Sequence, residues 1–365
     1  MEPIPLPLDL HIPGRLPGFG PGFMAHGPAS KANLLAPLTR QAGVGAVLTS
    51  RDPVTARKAI RTVLGHNPAA SVLADADQYS GTKRHIGIDG MSADWINMQL
   101  RAGCEWALTN SGYIPAGDRD SLRRVLASPS GSDRVIVALP LAMSWLTKDR
   151  EELCAAINEA GMPVALMLEH EKDPLSSDAA VTGLIEVLAC EVAGVLLLRS
   201  DTSTLGALAH GAAVVSVGTR SRYRHIFPLP DKEDDTEGGG FTPPTSAFVT
   251  PLLSFKYLDL IADLHTRNPD SELWRCDCAV CIGRTIDWIT TAVDPDTAAF
   301  EHSVAALALT ASQLVADPSP AIRWQSMCAD AQLAHDEIPI APGKRRRFPP
   351  ALKAWVRSTP QGAAH

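Results

Sequence analysis

The chain has 365 residues, 45% hydrophobic and 20% charged, a composition with ample material for a core. Its net charge of −7 excludes a global field that draws it to nucleic acid or an acidic membrane, so any polyanion must be met by a local basic patch. No apolar stretch reaches membrane-span length, and the Pro- and Gly-rich opening lacks the basic start and apolar run of a secretory signal.

In chain order, residues 1–29 read as an irregular Pro/Gly-rich lead. A rhythm then begins, with strands expected at 44–48, 71–75, 105–109, 135–139, 164–168, 195–198 and 213–217. Helices are expected between them, several opened by Asp or Ser and closed by Gly, as at 92–103, 149–160 and 178–192. Near-continuous Val/Ile/Leu/Ala strands are buried on both faces, as in a parallel sheet covered by helices. The α/β class that fits is a (β/α)8 TIM-type barrel with its main part over 30–227; a doubly wound open sheet is the alternative. No glycine-rich phosphate loop follows the first of these strands, which argues against dinucleotide binding. Residues 228–246 read as an acidic surface loop and 247–338 as a zinc-binding section with closing helices, a helix starting near Phe255. The tail, 339–365, is Pro-rich and basic, with Lys344, Arg345, Arg346 and Arg347.

Three of the seven cysteines stand together in C-D-C-A-V-C, Cys276, Cys278 and Cys281, and His302 follows on an expected helix. Three thiolates and an imidazole close a tetrahedron around Zn2+, with His265 or Asp277 as alternative fourth ligands. Trp274 and Trp288 are placed to shield the site. A thiolate metal motif beside four scattered cysteines points to a reducing compartment, so a cytoplasmic location is expected.

In a barrel, chemistry gathers where strands end on the C-terminal face. Those positions hold Asp75, Asp77, Asn110, Glu169, His170 and Asp201, then G-T-R-S-R-Y-R-H from Gly218 to His225. Asp75 can serve as base or nucleophile, or cap the turn that follows; Asp201 fits a plain helix cap. Arg220, Arg222, Arg224 and His225 suit phosphate oxygens, although the neighbouring acidic loop can neutralise them.

Two segments together resemble the tRNA-guanine transglycosylases. The C-x-C-x-x-C run with a later histidine, on an appendage to a barrel, is similar to that family's zinc motif. There the histidine is followed by Asn and apolar residues; here His302 is followed by Ser303 and V-A-A-L-A-L, 21 residues after Cys281. The second segment is T-L-G-A-L-A-H-G-A-A-V-V-S-V-G-T-R-S-R-Y-R, which resembles the family's late barrel strand and arginine loop. Matching at Gly211 puts Ser216 where the family has its nucleophilic aspartate; matching at Thr219 and Arg220 puts Val214 there, and neither is a carboxylate. L-A-D-A-D-Q-Y-S-G is loosely similar to the family's T-D-S-G-G-F-Q and gives Asp75 the role of its other acid; Asn110 and Glu169 stand where base recognition is sought.

The resemblance implies base exchange of guanine for a 7-deazapurine in tRNA or DNA. Attack at an anomeric carbon needs a carboxylate beside the sugar, a part left to Asp75 or Asp201. It equally implies a second reading, a non-catalytic accessory subunit that keeps barrel and zinc and binds nucleic acid beside a catalytic partner, as a homodimer or heterodimer. A third reading is an unrelated barrel enzyme for a small phosphorylated substrate.

Overall fold

The computed structural model describes residues 16–20, 22–128, 133–190, 194–229, 244–338 and 348–358. The four basic residues at 344–347 and most of the acidic loop lie outside them. Strand β1 (Phe23–Pro28) leads through a short 3-10 turn into helix α1 (Ala32–Gln41), followed by β2 (Gly45–Thr49) and α2 (Pro53–His66). Next come β3 (Val72–Asp75), α3 (Ala93–Ala102), β4 (Ala107–Leu108), α4 (Arg119–Ala127) and β5 (Val135–Ala142). Helices α5 (Ser144–Thr147) and α6 (Arg150–Ala160) precede β6 (Val164–Glu169), α7 (Asp178–Leu188), β7 (Val195–Ser200), α8 (Leu205–Ala209) and β8 (Val214–Gly218).

The eight strands form one sheet in the order β3-β2-β1-β8-β7-β6-β5-β4, all pairs parallel. This is the nearly closed TIM-type barrel that the alternating pattern predicts; the open sheet is not adopted. No ladder joins β3 to β4, and a side chain does the joining. Gln99, fully buried on α3, accepts from Ala74 N at 3.0 Å and Leu108 N at 3.2 Å through Oε1, and donates to Leu108 O at 2.8 Å. Backbone groups orphaned by the gap are thereby satisfied.

Two expectations need correction. The lead is not irregular throughout, because it contains β1, the strand that pairs β2 on one side and β8 on the other. Gly27 and Pro28 disguise it. Gly27 is required, since a Cβ there would meet Thr219 Oγ1 at 2.7 Å, and Pro28 sits at the strand's last position. Phe255 does not start a helix either. It lies in β10 (Ser254–Tyr257), antiparallel to β9 (Ser246–Val249), with its ring 5.8 Å from that of Phe248; helix α9 (Leu258–Arg267) begins just after.

Beyond α9, the 22-residue helix α10 (Pro295–Ala316) packs against α1, α8, β1 and β9. It fills the slot of the barrel's eighth helix, so residues 219–294 are an excursion between β8 and the helix that covers it. Helices α11 (Pro320–Glu337) and α12 (Pro350–Arg357) complete the described chain, with Trp324 and Trp355 buried edge to face against α8. No described helix is long and apolar enough to cross a membrane.

Candidate functional sites at the barrel mouth and the cysteine cluster

The strand ends bring Asp75, Asp77 and Tyr79 from the β3 turn beneath Arg199 of β7. Arg199 Nη1 lies 2.6 Å from Asp77 Oδ1 and 3.6 Å from Asp75 Oδ2, and donates to the Tyr79 hydroxyl at 3.1 Å. Its Nε and Nη2 donate to the carbonyls of His225 and Arg222. To reach this position β7 breaks register between Leu197 and Ser200, and Arg199 takes a φ of 52°, a conformation rarely adopted by a long side chain. Burial opposes its charge, but Tyr79, Asp77 and Asp75 outweigh that and keep it protonated.

Below Arg199 lies His26 of β1, which sequence reasoning missed because its strand was disguised. Its Nε2 is 3.1 Å from Asp75 Oδ2 and its Nδ1 3.3 Å from Ser216 Oγ. Thr49 also donates to Asp75 Oδ2, and Tyr79 adds a bond at 2.8 Å. Burial pushes the Asp75 carboxyl up, yet the hydrogen bond from His26 and the charge of Arg199 prevail and hold it at about 2. Burial lowers His26 below its ordinary value, so the ring is neutral near pH 7. A carboxylate only accepts, so the His26 proton is assigned to Nε2, which leaves Nδ1 to accept from Ser216. Ser216–His26–Asp75 has the residue types and bonding order of a serine nucleophile's relay. Here Ser216 Oγ already accepts the Arg199 N–H at 2.9 Å, and all three residues are shut away from solvent.

The strap after β8 closes this interior. Residues 219–227 cross the top of β7, and Ile226 takes its place beside β6: Ile226 N donates to Leu168 O and His170 N to Ile226 O, each at 2.9 Å. Tyr223, 4% exposed, stacks 6.0 Å above His26 and sits against Arg199. Arg220 and Arg222 remain on the solvent side. Arg224 turns inward, 3.8 Å over the Phe255 ring and 3.7 Å from Asp201. His225 is 7% exposed, and burial drives its pKa down to about 4. The four residues read as one phosphate-facing group are therefore split, two outward and two inward.

Asp201 accepts from Thr202 N at 2.7 Å, the cap role foreseen for it. Asn110 is held by Gly90 O and Ser92 N, and Glu169 pairs with Arg84 at 2.5 Å while accepting from Tyr113. Both are thus tied to the protein's own groups. Asp173, which sequence reasoning also passed over, accepts from Leu175 N and Ser203 Oγ. Burial, then the charge of Asp201, push it up to about 7. Its only sequence signal was an acid four residues past a strand end.

The second site is the cysteine cluster. The ligand atoms of Cys276, Cys278, Cys281 and His302 lie within 4.8 Å of one another, and all four residues are buried. The knuckle is built by Ile282 N to Cys278 O at 2.9 Å and Gly283 N to Cys276 O at 3.0 Å, with φ of 53° and 80° at Ile282 and Gly283. His302 Nε2 is 2.8 Å from Phe248 O; a carbonyl only accepts, so Nε2 carries the proton and Nδ1 presents its lone pair to the sulfurs, 3.1 Å from Cys281 Sγ. Ser303, where the resembled family has asparagine, accepts from Phe248 N at 3.0 Å, so β9 is gripped twice by α10. Trp274 is buried beside the knuckle and Trp288 Nε1 points at Cys281 Sγ from 3.4 Å. The alternative fourth ligands drop away: His265 faces Asp287 at 3.6 Å, and Asp277 is exposed. A compact three-thiol, one-imidazole set, its imidazole oriented by Phe248 O, fits a single metal ion.

No model of a known protein family matches this chain, and neither does any curated sequence. Among solved structures it is similar to dihydrodipicolinate synthase from Rhodopseudomonas palustris, with a TM-score of 0.36 and 12% identity over 56% of this chain and 72% of that one. It is also similar to the carboxyl transferase domain of Rhizobium etli pyruvate carboxylase with pyruvate, at 0.35 and 10%, over 92% of this chain and 61% of that one. Neither likeness bears on activity. What fold and site define is a TIM-type α/β barrel with a Cys3His cluster inserted between its eighth strand and eighth helix.

Proposed function

We propose that the protein is a zinc-stapled barrel that binds nucleic acid without catalysing base exchange, an accessory subunit of transglycosylase type. The observation that carries this reading is the sealed mouth. Asp75, the one acid of the resembled family with a counterpart here, is 1% exposed, bound to His26, Thr49 and Tyr79, and roofed by Tyr223. A sugar-sized cleft needs that volume empty. Here it is filled by side chains whose hydrogen bonds and charges are mutually satisfied, which argues equally against a small phosphorylated substrate. The strap's outward arginines, Arg220 and Arg222, supply the phosphate contact, and the cysteine cluster holds Zn2+ as a fully ligated, structural ion in a reducing, cytoplasmic setting. The test is purified protein with tRNA and with duplex DNA. Binding that weakens steeply with salt, with no release or exchange of labelled guanine, is expected; turnover on either nucleic acid overturns the reading.

One observation favours a divergent transglycosylase instead: Asp75 is ionised at the end of β3, the charge state an anomeric attack requires. That reading needs the strap over residues 219–227 to open on binding tRNA or DNA, admitting a purine or 7-deazapurine. It predicts guanine exchange that Asp75→Asn abolishes.

A further inference from the structure

Charge is segregated along this chain. Residues 16–70 carry six basic side chains, Lys31, Arg40, Arg51, Arg57, Lys58 and Arg61, against one acid, Asp52, an excess of five positive charges in a protein of net −7. The acid is spent on capping α2, where it accepts from Val54 N and Thr55 N. Helix α2 buries Ala56, Ala59, Ile60 and Val63 and turns Arg57, Lys58 and Arg61 outward. None of the three pairs with a described acid, whereas most other described arginines near the mouth are paired or stacked. They line a shallow depression with Val54 and Thr62. Just before α2, Arg51 is tied by its guanidinium to the carbonyls of Asp77 and Ser80, which joins this face to the turn after β3 at the mouth.

We infer that the outer face of α2 is a docking surface for the phosphodiester backbone of a nucleic acid, an inference that rests on the nucleic-acid reading above and gives it a location. Arg57 and Arg61, four residues apart, rise about 6 Å along the helix, close to two phosphate steps of about 3.4 Å along one duplex strand. The chemistry favours phosphate over other anionic partners. An acidic protein interface is organised around buried aromatic or aliphatic anchors, and a bilayer-binding helix needs an apolar face to sink. This face offers Val54 alone, beside hydroxyl, guanidinium and ammonium groups.

The experiment compares wild type with Arg57→Ala/Lys58→Ala/Arg61→Ala, three changes to a strong helix former on an exposed face, with circular dichroism and melting to verify folding. Anisotropy of a labelled duplex DNA and a labelled stem-loop RNA is followed between about 50 and 200 mM salt. The expected result is an affinity loss of about tenfold or more at the lowest salt, with the slope of log K against log salt reduced by about 2 to 3. A folded variant with unchanged slope overturns this face while leaving the nucleic-acid reading standing. Wild type that binds neither probe overturns both. Stronger binding to phosphatidylserine vesicles or polyglutamate than to either nucleic acid overturns the assigned occupant.

Discussion

Arg199 Nη1 stands 2.6 Å from Asp77 Oδ1 in the middle of the barrel's C-terminal face, with both side chains enclosed. In a barrel whose mouth is a reaction chamber that space is kept for substrate. Here the protein fills it with one cation and two carboxylates, and three further devices hold the plug: the register break in β7, the Tyr223 roof and the Ile226 insertion beside β6. The same arrangement sets how the fold responds to mutation.

Removing the cation leaves Asp75 buried without Arg199's countercharge and Asp77 with only the half-exposed Arg51 at 3.9 Å. Arg199→Met is therefore expected to cost about 3 to 5 kcal/mol, the range for breaking one side of a buried pair. Arg199→Lys keeps the charge but cannot donate to Asp77, Tyr79 and two carbonyls together, so it falls between. Urea midpoints of the three proteins check the order; equal stability of Arg199→Met and wild type would show that the network is not a structural plug.

Asp173 governs stability between acid and neutral pH. Its pKa is raised from 3.8 to about 7 in the fold, so folded and unfolded states are both protonated below 3.8, and no penalty exists there. Between 3.8 and about 7 the unfolded carboxyl ionises while the folded one does not, and stability declines until the folded group ionises too. Asp173→Asn keeps an acceptor and a donor for Leu175 N and Ser203 Oγ but has no charge to bury. Wild type should lose about 2 kcal/mol or more between pH 4 and 8 that the variant retains, as read from denaturation midpoints at both pH values. Parallel curves for the two proteins would refute the assignment.

The cysteine cluster joins an insertion to the barrel, so its metal should act on the fold. Near one equivalent of zinc is expected by elemental analysis. Cys278→Ser, or a strong chelator, should remove it and lower the melting temperature, because one missing ligand frees the knuckle from α10. His302→Ala should do the same and also release Phe248 O. A melting temperature indifferent to chelation would mean that the four residues pack without an ion.

What could be read beforehand and what could not follows from the range of the interactions. The cluster was legible because a metal's demand is local: Cys276, Cys278 and Cys281 are a spacing, and only His302 is remote. Seven strands were legible because each is a run of apolar residues, and a parallel sheet asks nothing else of them. Strand β1 was not, since Gly27 answers to Thr219 across the sheet, and Pro28 stands at the strand's last position beside Thr49 of β2. For the same reason His26 and Arg199 escaped notice: a histidine between Ala and Gly and an arginine at the end of a leucine run gain meaning only when β1, β3, β7 and β8 converge. The arginine loop was read correctly as cationic, but alternation along a chain cannot say that Tyr223 will turn over the mouth and carry Arg224 inward.

The last prediction concerns the seam. Strands β3 and β4 come together without a ladder, and Gln99 alone supplies an acceptor to Ala74 N and Leu108 N and a donor to Leu108 O. Gln99→Leu has nearly the same volume, so packing is preserved while three buried backbone groups lose their partner. At about 1 to 3 kcal/mol for each unsatisfied group, partly relieved by relaxation, a loss of about 3 kcal/mol is expected. Glu at this position can accept but not donate when ionised, and it also buries a charge, so Gln99→Glu should be worse at pH 8 than at pH 5. Hydrogen exchange at Ala74 and Leu108 reads the mechanism directly: both amides should be protected in wild type and exposed in Gln99→Leu, and protection kept in that variant would mean that the barrel closes here by other means.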